Sequence, residues 1–235
     1  MYNLAIALAC GGVTFLAIYL PGLLKAYESS LPAVLVAMVA YFILARRTFK
    51  VAEALFKHAS TMLQVQPPKF ERAIGILKQG YRFQRWQFGI TPQVNAQIGI
   101  ILFLKKDFNE AQKYLKEAIN WGHWMAGAML AVICYKKKQY DEMIDTFEVV
   151  VKKAKKDSMA WSLYAYCLNQ IRRRDEAMGV INRALKKMPD NPKLKQNLLQ
   201  LQNNKKMKMR QLYGEQWYQF HLDRPPVRMA TSQFG

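Results

Sequence analysis

Three segments in the middle of the chain repeat one pattern of small and apolar residues at a nearly constant period. Ala111, Met143 and Ala177 occupy one slot, at separations of 32 and 34 residues. A period of about 34 residues is typical of stacked helix pairs, in which no single pair can bury its apolar face alone. The repeated segments are Lys106–Asn120, Lys138–Lys152 and Arg173–Lys187, with further apolar positions at Leu115, Phe147 and Ile181 and at Ala118, Val150 and Ala184.

A preceding amphipathic segment in each repeat carries a small residue where two helices would cross, namely Gly99, Ala131 and Ala165. The third repeat resembles the tetratricopeptide repeat family most fully, through Trp161, Tyr164, Ala165, Ala177, Ala184 and Pro189. The second departs from that motif at Gly127, Met143 and Lys155, and the first lacks the Trp and the Pro. The resemblance implies an all-α fold, a solenoid of about three to four such helix pairs with a C-terminal capping helix.

The chain is therefore expected to have five parts. These are a transmembrane helical hairpin over residues 1–47, a connecting helix with a degenerate repeat over 48–90, and three repeats over 91–190. A capping helix over 191–204 follows, because Leu194, Leu198 and Leu201 form one apolar stripe on a polar helix. A basic and aromatic tail occupies 205–235.

Two uncharged apolar runs open the sequence, and we expect them to span a membrane at about 4–24 and 29–45. A helix of about 20 apolar residues crosses the hydrocarbon core. Small residues, Ala5 and Ala9 and then Ala33 and Ala37, would let the two helices approach closely. Arg46, Arg47 and Lys50 follow the second run, so the positive-inside rule predicts cytoplasmic repeats, expected at a bacterial inner membrane. The alternative is an inverted topology, which would make the protein a periplasmic assembly factor.

The chain carries 35 Lys and Arg against 16 Asp and Glu, a net charge of +19. Such a charge favours anionic partners. The cations recur at the turn inside each repeat and predict a basic edge, formed by Lys105, Lys106, Lys136, Lys137, Lys138, Arg172, Arg173 and Arg174. One interpretation is contact with acidic lipid head groups. Two others are complementation of the helix dipoles and solubility, or binding of nucleic acid. Nucleic acid is disfavoured, because the tryptophans do not alternate with the basic runs.

The period also predicts a partner groove lined by the first helices of the repeats. Its predicted lining is Ala96, Ile100, Phe103, Ala128, Val132, Tyr135, Ser162, Tyr166 and Asn169. This apolar and aromatic lining suits a hydrophobic helix or an extended peptide. The alternative is that the same residues only pack neighbouring repeats together. The tail carries Tyr213, Trp217, Tyr218 and Phe220, and we expect these aromatic residues to dock in the groove, on a partner or at the membrane interface.

No catalytic, cofactor or metal motif is recognisable, so we expect no enzyme activity, no cofactor and no metal site. Cys134 and Cys167 lie about one repeat apart and are interpreted as small buried hydrophobes. Taken together, the sequence predicts a membrane-anchored scaffold that binds a protein partner in a membrane-associated assembly. The alternative function is a membrane-tethered adaptor for nucleic acid.

Overall fold

The computed structural model describes residues 1–121 and 123–225, and within these ranges the regular structure consists of helices without a strand. The all-α prediction is confirmed. The chain divides into two compact units, Met1–Val94 and Asn95–Gly235, which are described separately below as the N-terminal and the C-terminal unit.

The N-terminal unit is a helical hairpin followed by a short helix. Helix α1 (Tyr2–Tyr19) packs against the first half of α2 (Ala26–Gln64), and α3 (Phe70–Lys78) packs against α2 further along. A 3₁₀ turn (Gln79–Phe83) follows α3, and α4 (Ile90–Leu104) begins in this unit.

The two helices of the hairpin meet at residues with little or no side chain. A Cβ atom built on Gly11 would lie 2.9 Å from both the carbonyl oxygen of Ala33 and the Cβ of Ala37. Ala7, one turn before Gly11, is also buried, at 1% exposure. The expected contact through Ala5 and Ala9 is wrong, because both are exposed. The absent side chain of Gly11 allows the close approach, and Gly11 therefore decides which face of α1 meets α2.

The expected bounds of the two apolar segments differ from the observed helices. Helix α1 ends at Tyr19, because Pro21 has no N–H to continue the helical hydrogen bonds and Gly22 has a φ of +73°. Helix α2 does not break after the expected span. It continues past Arg46 to Gln64, since Arg, Lys, Ala, Glu and Leu in this stretch all favour helix.

The C-terminal unit is built from consecutive antiparallel helix pairs. The second part of α4 pairs with α5 (Phe108–Ala118), α6 (Trp124–Lys136) with α7 (Tyr140–Lys153), and α8 (Ser158–Gln170) with α9 (Arg174–Leu185). Helix α10 (Pro192–Gln202) packs on α9 and α8, and two short helices, α11 (Met209–Tyr213) and α12 (Glu215–Tyr218), follow it. Helix α10, the expected capping helix, is therefore not the last helix of this unit.

Side-chain caps fix where several of these helices begin. Asp107 accepts a hydrogen bond from the N–H of Glu110, and Asp157 accepts from the N–H groups of Met159 and Ala160. Asn191 accepts from the N–H of Leu194, and Pro192 stands at the first helical position, where its missing N–H is not needed. Asp157 and Asn191 therefore fix the starts of α8 and α10, and Asp107 fixes the start of α5.

The first helix of a pair lies close to the second at a glycine. A Cβ on Gly99 would lie 2.6 Å from Cδ2 and 2.7 Å from Cγ of Leu115, which is fully buried. In the next pair, a Cβ on Gly127, which lies four residues before the position equivalent to Gly99, would lie 2.7 Å from Cγ2 of Val150. The small residues seen in the sequence at Ala131 and Ala165 are both fully buried.

Candidate interaction groove and basic turns

The first helices of the three pairs end in one recurring backbone turn. Lys106, Lys138 and Arg172 have φ values of 70°, 59° and 65°, in the left-handed region that favours glycine. In each turn the next residue's N–H donates to a carbonyl five residues back, which is a common way of ending a helix. The three bonds run from Asp107 to Leu102 (2.9 Å), from Gln139 to Cys134 (2.9 Å) and from Arg173 to Leu168 (3.0 Å).

Helix α10 ends in the same way. Asn204 has a φ of 56°, and the N–H of Lys205 donates to the carbonyl of Gln200 at 2.8 Å. The recurring turn therefore falls at positions 106, 138, 172 and 204. Helix α10 thus has the turn that characterises the first helix of a pair, and the chain after Asn204 stands where a second helix would begin.

The predicted groove residues lie on the first helices, but they divide into two classes. Five are buried at 3% exposure or less, namely Ala96, Phe103, Ala128, Val132 and Ser162. Four are only half-buried, namely Ile100, Tyr135, Tyr166 and Asn169. The half-buried residues are the ones with side-chain surface left to meet another segment, and at Tyr166 that segment is the chain's own C-terminal part.

The C-terminal segment Met207–Asp223 lies along this groove. Its Tyr213 hydroxyl lies 2.8 Å from Oγ of Ser162 and donates to the carbonyl of Ser158 at 3.0 Å. The Trp217 ring meets the Tyr166 ring edge to face at 4.7 Å between centroids. Tyr213, Trp217 and Phe220 are 6%, 0% and 0% exposed, and Tyr218 is half-buried.

The far end of the segment reaches the helices of the first two pairs. The His221 ring stacks on Phe103 at 5.5 Å between centroids, and the Lys136 ammonium donates to the His221 carbonyl at 2.7 Å. Burial lowers the pKa of His221 and Lys106 and Lys136 lower it further, against hydrogen bonding to the backbone of Leu104 and Phe103, so the net shift favours the neutral imidazole. The remainder of the predicted tail, residues 226–235, lies outside the described residues.

Comparison with known proteins identifies one of the helix pairs. Residues 92–121, which hold most of α4 and all of α5, match the sequence model of the family described as Tetratricopeptide repeat. This segment is a tetratricopeptide repeat. The resemblance inferred from sequence is confirmed, although the matched pair is the first and not the third, which carries more of the motif residues.

Two solved structures resemble this chain at low sequence identity. The MamA RS-1 ArsTM double mutant is 20% identical, covers 77% of this chain and 96% of its own, and gives a TM-score of 0.48. MamA from residue 41 to its end, from Desulfovibrio magneticus RS-1, is 19% identical, covers 78% of this chain and 97% of its own, and also gives 0.48. No curated protein matches the sequence of this chain.

The cations at the basic turns of the repeats differ in the groups that they contact. The Lys136 ammonium lies against the C-terminal segment, while Lys137 donates to Oε1 of Gln112 at 2.6 Å and Arg173 pairs with Glu176 at 2.6 Å. Lys105 has a partner of its own. A shallow cleft of about 320 Å³ lies beside the third repeat's turn, lined by Asn169, Arg172, Arg174, Asn204, Lys205 and Lys206. The predicted basic edge is thus split, with Lys106 and Lys136 at the groove and Arg172 and Arg174 at this cleft.

Neither repeat cysteine has the properties of a nucleophile. Burial raises the pKa of Cys134 to about 11, and complete burial raises the pKa of Cys167 further. Both thiols therefore stay protonated near neutral pH, whereas a reactive cysteine needs a thiolate. Within the described residues there is also no group of three His, Cys, Asp or Glu side chains that could hold a metal ion.

The sequence analysis did not predict one polar network that joins two helix pairs. Arg183 donates two hydrogen bonds to the carboxylate of Glu148, each at 2.9 Å, and Tyr164 donates to the same carboxylate at 3.1 Å. Hydrogen bonding to Arg183 lowers the pKa of Glu148. The three residues come from α7, α8 and α9, so the network fastens one repeat to the next. No local sequence pattern predicts this network, because Tyr164 and Arg183 lie 16 and 35 residues from Glu148.

Proposed function

We propose that the protein is a non-catalytic, membrane-anchored scaffold. Helix α1 and the first part of α2 would hold it in the bilayer, while its tetratricopeptide-repeat array binds a protein partner. The observation that carries the anchoring is the exposure of the apolar hairpin. Two helices are long and apolar enough to cross a membrane, and only 17% of each apolar window is buried. A core helix of a soluble protein can pass the same test of length and composition, but it would be mostly buried.

Large apolar side chains cover the outer surface of the hairpin. Leu8 is 61% exposed, Val13 67%, Leu31 68% and Phe42 64%. Contiguous apolar surface of this kind is rare on a soluble monomer and is the expected surface of a helix in lipid. The close contact at Gly11 is also typical of membrane helices, which associate through small residues.

The end of the hairpin where α1 begins has the composition of a membrane–water interface. Trp86 and Phe88 are 44% and 51% exposed, and the Trp86 ring meets Tyr2 edge to face at 5.3 Å. The Asn3 amide donates to Thr48 at 2.9 Å and to Gln87 at 3.0 Å, which places polar groups at this level of α2. Arg46 and Arg47 lie beside Thr48 in α2. Aromatic residues at the interface and cations on the cytoplasmic side are the pattern of an inner-membrane protein.

Alkaline carbonate extraction tests the anchoring. We expect the full-length chain to stay in the membrane pellet, while a chain lacking residues 1–49 moves to the supernatant. Release of the full-length chain would refute the proposal. A known peripheral membrane protein in the same sample provides the control for complete extraction.

Thiol labelling in intact cells tests the cytoplasmic placement of the repeats, in a background carrying Cys10→Ser. Asp190, whose side chain is 99% exposed, and Leu23, which is 71% exposed in the hairpin turn, form a matched pair of positions. We expect Asp190→Cys to resist a membrane-impermeant thiol reagent and Leu23→Cys to react with it. The reverse pattern would support the inverted, periplasmic topology.

The left-handed turns support a role for their cations. A non-glycine residue in this conformation is disfavoured by about 1–2 kcal/mol, yet all three repeats place Lys or Arg there. We propose that the cations at the third repeat's turn contact acidic lipid head groups.

Vesicle co-sedimentation tests this contact. Changing Arg172, Arg173 and Arg174 to Gln should weaken binding of the repeats to acidic vesicles by about 1 kcal/mol for each cation that reaches the surface. The loss should shrink at high salt, because screening shortens the range of the interaction. The control variant changes Lys152, Lys186 and Lys187 to Gln, which removes equal charge from exposed sites outside the basic edge. Equal weakening by both triple variants would show that net charge alone, and not the position of the arginines, causes the loss of binding.

A further inference from the structure

We propose that the segment Met207–Asp223 is a built-in occupant of the groove, and that a partner's acidic and aromatic peptide displaces its distal part. The displacing peptide would carry a Trp or Phe, followed within about one helical turn by carboxylates. The inference rests on the proposed function as a protein-binding scaffold and adds the chemistry of the partner. It follows from an uneven fit along the groove, which is close at one end of the segment and poor at the other.

The segment is folded on itself and not merely laid across the helices. Arg210 pairs with Asp223 at 2.7 Å, and the Trp217 indole N–H donates to the other oxygen of Asp223 at 2.6 Å. These two bonds close a loop that begins in α11 and ends beyond α12. The Arg210–Asp223 pair joins the distal part to α11, so displacement of the distal part breaks this partly exposed ion pair, whereas the bond between Trp217 and Asp223 lies within the distal part and is kept.

The proximal end of the segment is well matched to its surroundings. Tyr213 is bonded to Ser162 and to the carbonyl of Ser158, and the backbone N–H of Lys208 donates to Oδ1 of the buried Asn197 at 3.1 Å. Every polar side-chain group named in this contact has a partner. The part from Met207 to Tyr213 is therefore a permanent component of the repeat array.

The distal end is poorly matched. His221 has a φ of 51°, a conformation disfavoured for a residue with a side chain, and its Nε2 is buried without a hydrogen-bond partner among the described residues. The same imidazole faces Lys106 and Lys136, and the Lys136 ammonium contacts the His221 carbonyl and the face of the Phe108 ring rather than a carboxylate. Desolvation and Lys106 both lower the pKa of Lys136, because its ammonium is partly buried beside a second cation.

The chemistry of the groove at this end defines a better occupant. An aromatic ring would take the place of Trp217 on Tyr166. A carboxylate in the position of His221 would pair with Lys106 and Lys136, and such charge-assisted hydrogen bonds are stronger than bonds between neutral groups. The net charge of +19 also favours an acidic peptide over a basic one.

Peptide binding to the full-length protein in detergent tests the proposal. The first probe is a fluorescent peptide of residues 213–225, and the second is the same peptide with His221→Glu and Leu222→Glu. The protein is compared as wild type and as a variant with Trp217→Ala and Phe220→Ala, in which the segment is loosened. We expect the second peptide to bind the variant at least tenfold more tightly than it binds wild type, and more tightly than the first peptide binds the variant.

Three controls locate the binding. Lys106→Gln with Lys136→Gln, added to the loosened variant, should remove the advantage of the acidic peptide. Lys186→Gln with Lys187→Gln, which removes equal charge elsewhere, should leave it intact. Replacing Trp217 and Phe220 by Ala in the acidic peptide should abolish binding. Equal affinity for wild type and a folded loosened variant, or a charge effect shared by both lysine pairs, would overturn the proposal.

Hydrogen exchange of the wild-type protein provides a second measurement that does not depend on the loosened variant. We expect amides from Trp217 to Asp223 to exchange at least tenfold faster than those of α10, and exchange to rise further when the acidic peptide is added. Protection equal to that of α10, unchanged by peptide, would show that the segment is a permanent part of the core and would refute the inference. Neither result affects carbonate extraction, so a failure here is distinguishable from a failure of membrane anchoring.

Discussion

Gly99 and Gly179 offer a paired test of how closely the helices of a repeat pack. Adding a methyl group at Gly99 places it 2.6 and 2.7 Å from two carbons of Leu115 and 3.3 Å from the Leu115 backbone nitrogen. Leu115 is 0% exposed, so its side chain cannot turn outward into solvent without leaving the core. Overpacking of this kind destabilises by about 1–3 kcal/mol, against which a helical Ala gains about 0.5–1 kcal/mol over Gly. At Gly179 a methyl group meets nothing within 4 Å, so only the gain remains.

We therefore expect Gly99→Ala to lower the free energy of unfolding by about 1–2 kcal/mol and Gly179→Ala to raise it by about 0.4–1 kcal/mol. Thermal unfolding of the full-length protein in detergent, followed by circular dichroism, measures both. The corresponding change in Tm is about 2–4 °C for each kcal/mol in a protein of this size. If the two substitutions shifted Tm in the same direction, the close contact between α4 and α5 would be refuted.

Three further expectations follow from single positions. Ala165→Arg places an unpaired charge at a fully buried site and should destabilise the array by about 3–5 kcal/mol, measured by thermal unfolding. A Tm within two degrees of wild type would contradict the repeat packing. Lys138→Gly should stabilise by up to about 1 kcal/mol because it relieves a left-handed backbone, whereas Lys137→Gly, with equal loss of charge, should destabilise by about 0.5–1 kcal/mol. Docking of the C-terminal segment lowers the pKa of His221, so His221 binds a proton more readily when the segment is released. Docking is therefore complete above about pH 6.5, the ordinary pKa of histidine, and weakens as the pH falls below it. Hydrogen exchange at pH 7.5 and 5.5 should show this loss of protection in wild type and its absence in His221→Gln.

The sequence by itself determined the helix pairs of the C-terminal unit. An Ala or Met recurring at separations of 32 and 34 residues, with apolar residues four and seven later, specifies amphipathic helices that must stack, and the first of these pairs is a tetratricopeptide repeat. The all-α class follows from the same local periodicity. The close helix contact at Gly99 is also predictable from the sequence, because such a contact requires a residue with little or no side chain.

The tertiary structure alone decided which surfaces remain available. The contacts that fill the groove join residues 51 and 85 positions apart, Ser162 with Tyr213 and Lys136 with His221, and no periodicity records such pairings. The rotation of α1 was likewise undetermined by its small residues, because alanines lie on more than one face, and only packing against α2 selected Gly11. Local patterns specify which residues share a helix face. Which partner covers that face depends on long-range packing, and here a C-terminal segment of the same chain covers the groove that its repeats form.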